Sequence, residues 1–141
     1  MKACRVLMME DDPLIGMLLA ASLEEMGYDV CAIAATAADG VTAAAQYRPD
    51  LVIADARLAD GSGISAIEEI LRTGFVPHLF MTGNISRVRV LRPDAVVLEK
   101  PFRPAELMLA IQRALDIAAT PSRMGWARRR RGSASPRVPA T

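Results

Sequence analysis

Four short apolar runs in this chain each hand over to a charged or hydroxyl-bearing residue, and that repetition restricts the fold more than any other feature. Arg5-Val6-Leu7-Met8-Met9 leads into Glu10-Asp11-Asp12, Leu51-Val52-Ile53-Ala54 into Asp55, His78-Leu79-Phe80-Met81 into Thr82, and Ala95-Val96-Val97-Leu98 into Glu99-Lys100-Pro101. Apolar runs of this length without polar alternation read as strands buried on both faces, the pattern of a parallel sheet. A carboxylate directly after such a strand is costly unless a partner meets it. The four polar ends are therefore expected to converge.

The intervening segments read as helices. Asp12 stands as an N-cap with Pro13 at the first helical position, and Leu14, Ile15, Leu18, Leu19, Leu23 and Met26 recur at helical spacing until Gly27. A second strand spans Tyr28 to Ala34. Thr36 to Asp39 resembles a capping box that opens a small-residue helix reaching about Tyr47, which Arg48-Pro49-Asp50 stops. After the loop from Asp55 to Gly63, whose glycines permit a turn with positive φ, Ile64, Ile67, Ile70 and Leu71 form the inner face of a third helix ending at Gly74. Residues 84–95 leave room for two helical turns at best, with Ile85, Val88 and Leu91 as a thin apolar face, so this element is predicted to be short or mobile. Pro104 opens a last helix packed through Leu107, Met108, Ile111, Leu115 and Ile117. Strands and helices in alternation imply right-handed crossovers and a doubly wound α/β sheet of five parallel strands, covered on both faces.

A length of 141 residues suits one domain, and 52% apolar but only 4% aromatic residues point to an aliphatic core. Residues 1–119 carry 11 Lys/Arg against 16 Asp/Glu, whereas 120–141 carry six Arg and no acid. The reading is a folded acidic body, 1–119, followed by a disordered basic segment, 120–141. Arg128-Arg129-Arg130-Arg131 and Trp126 within that segment allow a nucleic-acid or anionic-membrane contact through phosphates, against the blander reading of a solvated tail touching the body. No folded reader module accompanies them, which argues against sequence-specific DNA recognition. Cys4 and Cys31 lack metal-ligand spacing and read as free buried thiols, in keeping with a reducing cytoplasm. The first twelve residues resemble neither a signal peptide nor a bilayer span. His78, the one histidine, reads as structural; no Ser-His-Asp or Cys-His set and no Walker-type loop is found.

Ligands of a doubly wound sheet bind outside the carboxyl ends of its strands, where every reactive candidate here lies. Converging carboxylates repel one another unless a cation intervenes, and hard oxygen donors suit Mg²⁺, with Mn²⁺ an alternative. Asp12 is assigned to direct metal contact, Asp11 to contact through water, the backbone carbonyl of Arg57 as a further ligand and Glu10 to support from outside. Asp55 is then placed as a nucleophile accepting a phosphoryl group, whose charge the metal, the Lys100 ammonium, the Thr82 hydroxyl and backbone N–H groups stabilise.

On these residues the chain resembles, over about residues 4–118, the receiver domain of two-component response regulators. The motifs are Glu10-Asp11-Asp12-Pro13, Asp55 with Gly61 and Gly63 downstream, Thr82-Gly83, and Lys100-Pro101-Phe102. The resemblance implies a flavodoxin-like (βα)5 fold of strand order 2-1-3-4-5 and a Lys100-Pro101 peptide that is commonly cis. It also implies phosphoryl transfer to Asp55 from the phosphohistidine of a sensor histidine kinase or a histidine phosphotransfer protein. Such a chain is a signalling phosphoacceptor that acts only on itself, by phosphotransfer and slow autodephosphorylation, and signals through protein contact on the face of the fourth helix, fifth strand and fifth helix. A phosphate sink or relay intermediate is the alternative. Residues 120–141 are too few for an output domain, so a stand-alone receiver is expected. Phe80-Met81-Thr82-Gly83 is similar to the Phe-Ala-Thr-Gly signature of a receiver subgroup common in alphaproteobacteria, with Met81 for Ala and Ile85 for the usual Tyr. Arg57 and Asn84 match positions that tune dephosphorylation. Val97 stands where receivers carry a switch aromatic, so ordering of 84–95 on engagement of Thr82 is expected in its place.

Overall fold

The computed structural model describes residues 3–119. Strands β1 (Arg5–Met9), β2 (Asp29–Ala34), β3 (Leu51–Asp55), β4 (His78–Thr82) and β5 (Val96–Glu99) alternate with helices α1 (Pro13–Glu25), α2 (Ala37–Tyr47), α3 (Gly63–Leu71), α4 (Ile85–Leu91) and α5 (Pro104–Ala118). Every pairing is parallel, and the spatial order is β2-β1-β3-β4-β5. A two-residue antiparallel ribbon, Arg57–Leu58 against Gly61–Ser62, lies apart from this sheet. The doubly wound order 2-1-3-4-5 is thus confirmed. No described helix is long and apolar enough to cross a membrane.

Side-chain alternation along the strands divides the interior in two. Val6, Met8, Ile53, Leu79 and Met81 pack with Leu19 and Leu23 of α1 and Leu107, Ala110, Ile111 and Ala114 of α5. Leu7, Met9, Val52, Ala54 and Phe80 pack on the other face with Ile64, Ile67, Ile70 and Leu71 of α3 and Val88 of α4. The expected caps form: Asp12 Oδ1 accepts from the N–H groups of Leu14 and Ile15 at 3.0 and 3.2 Å, and Thr36 Oγ1 accepts from Asp39 N–H at 3.0 Å. His78 is buried, its Nδ1 donating to the Val76 carbonyl at 2.8 Å and its Nε2 accepting from Arg92 Nη2 at 3.0 Å. That histidine is structural, and it pins the residue following α4 to the start of β4.

Three sequence expectations are corrected. Cys4 and Cys31 are half-buried rather than buried. Of the apolar residues in α1, only Leu19 and Leu23 are buried; Leu14, Ile15 and Leu18 face outward, because apolar side chains surround much of this helix and the sheet covers one stripe. On α5 the packing face runs through Ala110 and Ala114, and Met108 is exposed. The basic segment 120–141, with its expected disorder, lies outside the described residues.

The α5 assignment predicts a sharp contrast. Ile111→Ala removes fully buried volume and lowers unfolding free energy by about 2–5 kcal/mol in urea denaturation. Leu109→Ala on the outer face, 60% exposed, changes it by less than about 0.5 kcal/mol.

Candidate functional site

The reactive side chains stand where β1 and β3, neighbours in the sheet, end side by side at the point where the winding direction reverses. Asp55 is the last residue of β3 and Thr82 the last of β4, both buried, while Glu10 directly follows β1. Lys100 follows β5, its N–H donating to the Thr82 carbonyl at 2.8 Å, and the Lys100-Pro101 peptide is cis. From there Lys100 Nζ donates to Asp55 Oδ2 at 2.6 Å and lies 3.6 Å from Glu10 Oε1. The other oxygen, Asp55 Oδ1, accepts from Arg57 N–H at 3.2 Å.

Carboxylate oxygens of Glu10, Asp11 and Asp55 approach within 4.8 Å of one another. Glu10 is almost fully buried; its Oε2 accepts from Asp12 N–H at 3.1 Å, while its Oε1 has no hydrogen-bond partner among the described residues. Burial pushes the Glu10 carboxyl above its usual range, the Asp12 N–H and the Lys100 ammonium opposing that rise and the Asp55 charge adding to it. Burial by itself disfavours the Lys100 ammonium, but the hydrogen bond and charge of Asp55, followed by Glu10, lift Lys100 above the ordinary lysine value. Three hard oxygen donors and an orphaned buried carboxylate oxygen fit a divalent cation of the Mg²⁺ type.

The acids that the structure brings together differ from the set expected to hold a metal. Asp12 was assigned to direct contact, but with Pro13 at the first helical position its Oδ1 caps α1. Glu10, assigned a supporting place, joins Asp11 and Asp55 instead. Chain direction explains the exchange: Glu10 still belongs to the end of the strand and sits beneath α1, its Cγ 3.8 Å from where a Cβ on Gly16 would lie. Asp12 already belongs to the helix.

The remaining expected residues surround this cluster. Arg57, exposed, lines a cleft of about 540 Å³ together with Ser62, Thr82, Asn84, Arg87 and Leu91. Asn84 caps α4 through an Oδ1 that accepts from Arg87 N–H at 3.2 Å, and its own N–H donates to Thr82 Oγ1 at 2.9 Å. Val97 pairs with Phe80 across β5 and β4 and is half-buried. Two supporting residues were missed by the sequence reading. Ser62 Oγ accepts from Ile64 N–H at 3.0 Å and caps α3, a position that the Ser before Gly63-Ile64 could have signalled. Asp60 reaches across the molecule to accept from Ala37 and Ala38 N–H at 2.7 and 3.2 Å, bonds that lower its pKa and that no local pattern encodes. Gly63 allows α3 to start against Asp55, since a Cβ there would meet the Asp55 carbonyl oxygen at 1.9 Å.

Comparison with known proteins adds three findings. The family model of the response regulator receiver domain matches residues 6–112. The phyllosphere-induced regulator PhyR of Methylorubrum extorquens is 40% identical over 117 residues, covering 80% of this chain and 44% of that protein. The transcriptional regulatory protein PdtaR of Mycobacterium tuberculosis is 37% identical over 116 residues, covering 79% and 57%. This chain thus spans about half the length of these curated relatives. Among solved structures, the receiver domain of PhyR from Erythrobacter litoralis superposes with a TM-score of 0.76 at 38% identity, covering 84% of this chain and 95% of that one.

The cap assignment separates Asp12 from its acidic neighbours. Asp12→Ala costs about 1 kcal/mol of stability, whereas Asp12→Asn, an equally good N-cap, costs almost none in the same thermal denaturation series. Mg²⁺ titration followed by calorimetry should show a larger loss of affinity for Glu10→Gln or Asp11→Asn than for Asp12→Asn.

Proposed function

We propose, from the premise that this chain belongs to the response regulator receiver domain family, that Asp55 accepts a phosphoryl group from the phosphohistidine of a partner protein. The Lys100 Nζ to Asp55 Oδ2 contact of 2.6 Å beside Glu10 and Asp11 carries this reading, because it joins an acceptor, a fixed cation and metal-type oxygen donors in one place. In the transfer the histidine N–P bond breaks as an Asp55 O–P bond forms, and the imidazole leaves. Lys100 turns from the carboxylate towards a phosphoryl oxygen, and the Arg57 N–H, which already donates to Asp55 Oδ1, and the Thr82 hydroxyl at the end of the neighbouring strand take up the others. Glu10, Asp11 and Asp55 would hold Mg²⁺, which when bound supplies Lewis-acid neutralisation of phosphoryl charge. Chemistry is confined to the chain's own Asp55 and to slow loss of the group to water, with the exposed Arg57 shielding the phosphate.

Output is proposed to run through protein contact. The names of PhyR, called an anti-anti-sigma factor in Bartonella quintana, and of the transcriptional regulator PdtaR describe those proteins, of whose length this chain spans about half. The proposed route leaves the site through Thr82. Its Oγ1 accepts the N–H of Asn84, whose side chain accepts from Arg87 in the first turn of α4. With Val97 in place of an aromatic, no ring rotation couples the site to that helix.

Two measurements test this reading. Incubation with a small-molecule phosphodonor and Mg²⁺ should add one phosphoryl group by intact-mass spectrometry, with no addition to Asp55→Asn and faster decay from Arg57→Ala. A folded parent that stays unlabelled defeats the acceptor assignment. Amide ¹⁵N relaxation should show residues 84–91 losing motion when a phosphoryl mimic is bound; if that segment is equally rigid without the mimic, the route through α4 is wrong.

A further inference from the structure

The loop that follows Asp55 is fixed at both ends and projects between them. Ala56 N–H donates to the Met81 carbonyl at 2.9 Å, and Gly63 N–H donates to the Ala56 carbonyl at 3.0 Å. Between these points the ribbon of Arg57–Leu58 and Gly61–Ser62 stands out, with Ala59 and Asp60 at its tip. Leu58 is buried, whereas Asp60 is exposed. Asp60 nevertheless binds a second element through both of its oxygens. Its Oδ1 accepts from Ala37 N–H at 2.7 Å and its Oδ2 from Ala38 N–H at 3.2 Å.

These bonds reach the first turn of α2, where the backbone N–H groups have no partner within the helix. Thr36 Oγ1 serves the next of them, Asp39 N–H. Asp60 thus completes a cap that the sequence next to α2 leaves two bonds short, and its charge suits the positive end of the helix. The helix it grips is closely seated. Gly40 lets α2 lie directly on β1, since a Cβ there would meet Met9 Sδ at 2.1 Å, and β1 pairs with β3. A closed path therefore runs from Asp55 through Arg57 and the ribbon to Asp60, and returns through α2 and β1 to the strand that carries Asp55. Arg57 is the member of this path that touches the site, its N–H donating to Asp55 Oδ1 at 3.2 Å.

We propose that Asp60 is a positioning residue, which by fastening the ribbon tip to α2 sets the Arg57 backbone, and with it the N–H at Asp55 Oδ1, in place beside the acceptor carboxylate. Without this tie the ribbon pivots about buried Leu58, and the Arg57 N–H draws away from Asp55. The placement of Arg57 stands on these contacts alone; its effect on phosphoryl transfer rests on the reading of Asp55 as the acceptor.

Amide NMR of the full-length, metal-free and unmodified protein tests the placement. In Asp60→Ala the Arg57 amide proton should move upfield, towards its position in the denatured chain, with circular dichroism unchanged. Ala37→Pro approaches the same tie from the other side, because it removes the N–H that Asp60 Oδ1 accepts and puts proline at the first helical position, where it is favoured. It should move the Arg57 signal in the same direction, and the double variant should move it by less than the sum of the two. Labelling by a small-molecule phosphodonor with Mg²⁺ should be slowed roughly tenfold in Asp60→Ala. An Arg57 signal that stays in place in Asp60→Ala while those of Ala37 and Ala38 move overturns the proposal, because Asp60 then only caps α2. Labelling of Asp60→Ala at the parental rate overturns it as well. A parent that takes no label defeats the acceptor reading, and the Arg57 signal then decides the proposal.

Discussion

The ammonium of Lys100, held between Asp55 and Glu10, allows carboxylates to stand at the ends of strands that are otherwise apolar on both faces. Each of these charges would be costly alone in such a position. Together they remain unbalanced, since one ammonium faces the carboxylates of Glu10, Asp11 and Asp55. The surplus of two negative charges is what a divalent cation would neutralise. The rest of the fold keeps this cluster tight: parallel register brings Met9 beside Ala54 and Ala54 beside Phe80, so the next residues along each strand meet.

How much of this was legible in the sequence depended on whether the information was local. Strands buried on both faces announce themselves as short apolar runs, and these four, like the half-exposed edge strand β2, lie within a residue or so of where the pattern puts them. Caps at Asp12 and Thr36 were equally legible because their partners lie within three residues, and Pro104 marked the first residue of α5. The bond from Asp60 to the start of α2 was not, since it joins residues 22 and 23 positions apart. Nor was the exposure of Leu14, Ile15 and Leu18: a helix apolar on several sides satisfies the periodic template in more than one rotation, and only packing against the sheet selects the stripe through Leu19 and Leu23.

The exchange between Glu10 and Asp12 has a similar cause. Three consecutive acids after a strand offer three candidates, but the backbone turns from strand to helix within them. Pro13 already marked Asp12 as the residue before the first helical position, and an N-cap side chain points at the helix amides rather than at the strand ends. Giving Asp12 both duties asked one carboxylate to face two directions. The residue still inside the strand trajectory, Glu10, was the better candidate on geometry, although a carboxylate with so little solvent is the less expected choice on composition.

Helix α4 shows how such a site can act at a distance without an aromatic switch. Its seven residues are too few to be stable by propensity, and Val88 is its one buried side chain. Besides the core contact of Val88, polar ties hold it at both ends. At the far end Arg92 donates to His78 Nε2 and lies over the Phe80 ring at 5.6 Å, a part-buried contact at the start of the strand that ends at Thr82. At the near end the tie is a single bond from Asn84 N–H to the Thr82 hydroxyl. Under the proposed phosphoryl transfer, a demand on that hydroxyl from the Asp55 side would compete with the near tie. With Arg92 tied to His78 at the far end, the near end of α4 is the part of the helix open to such a demand, and Val90 and Leu91 are the exposed apolar side chains it carries.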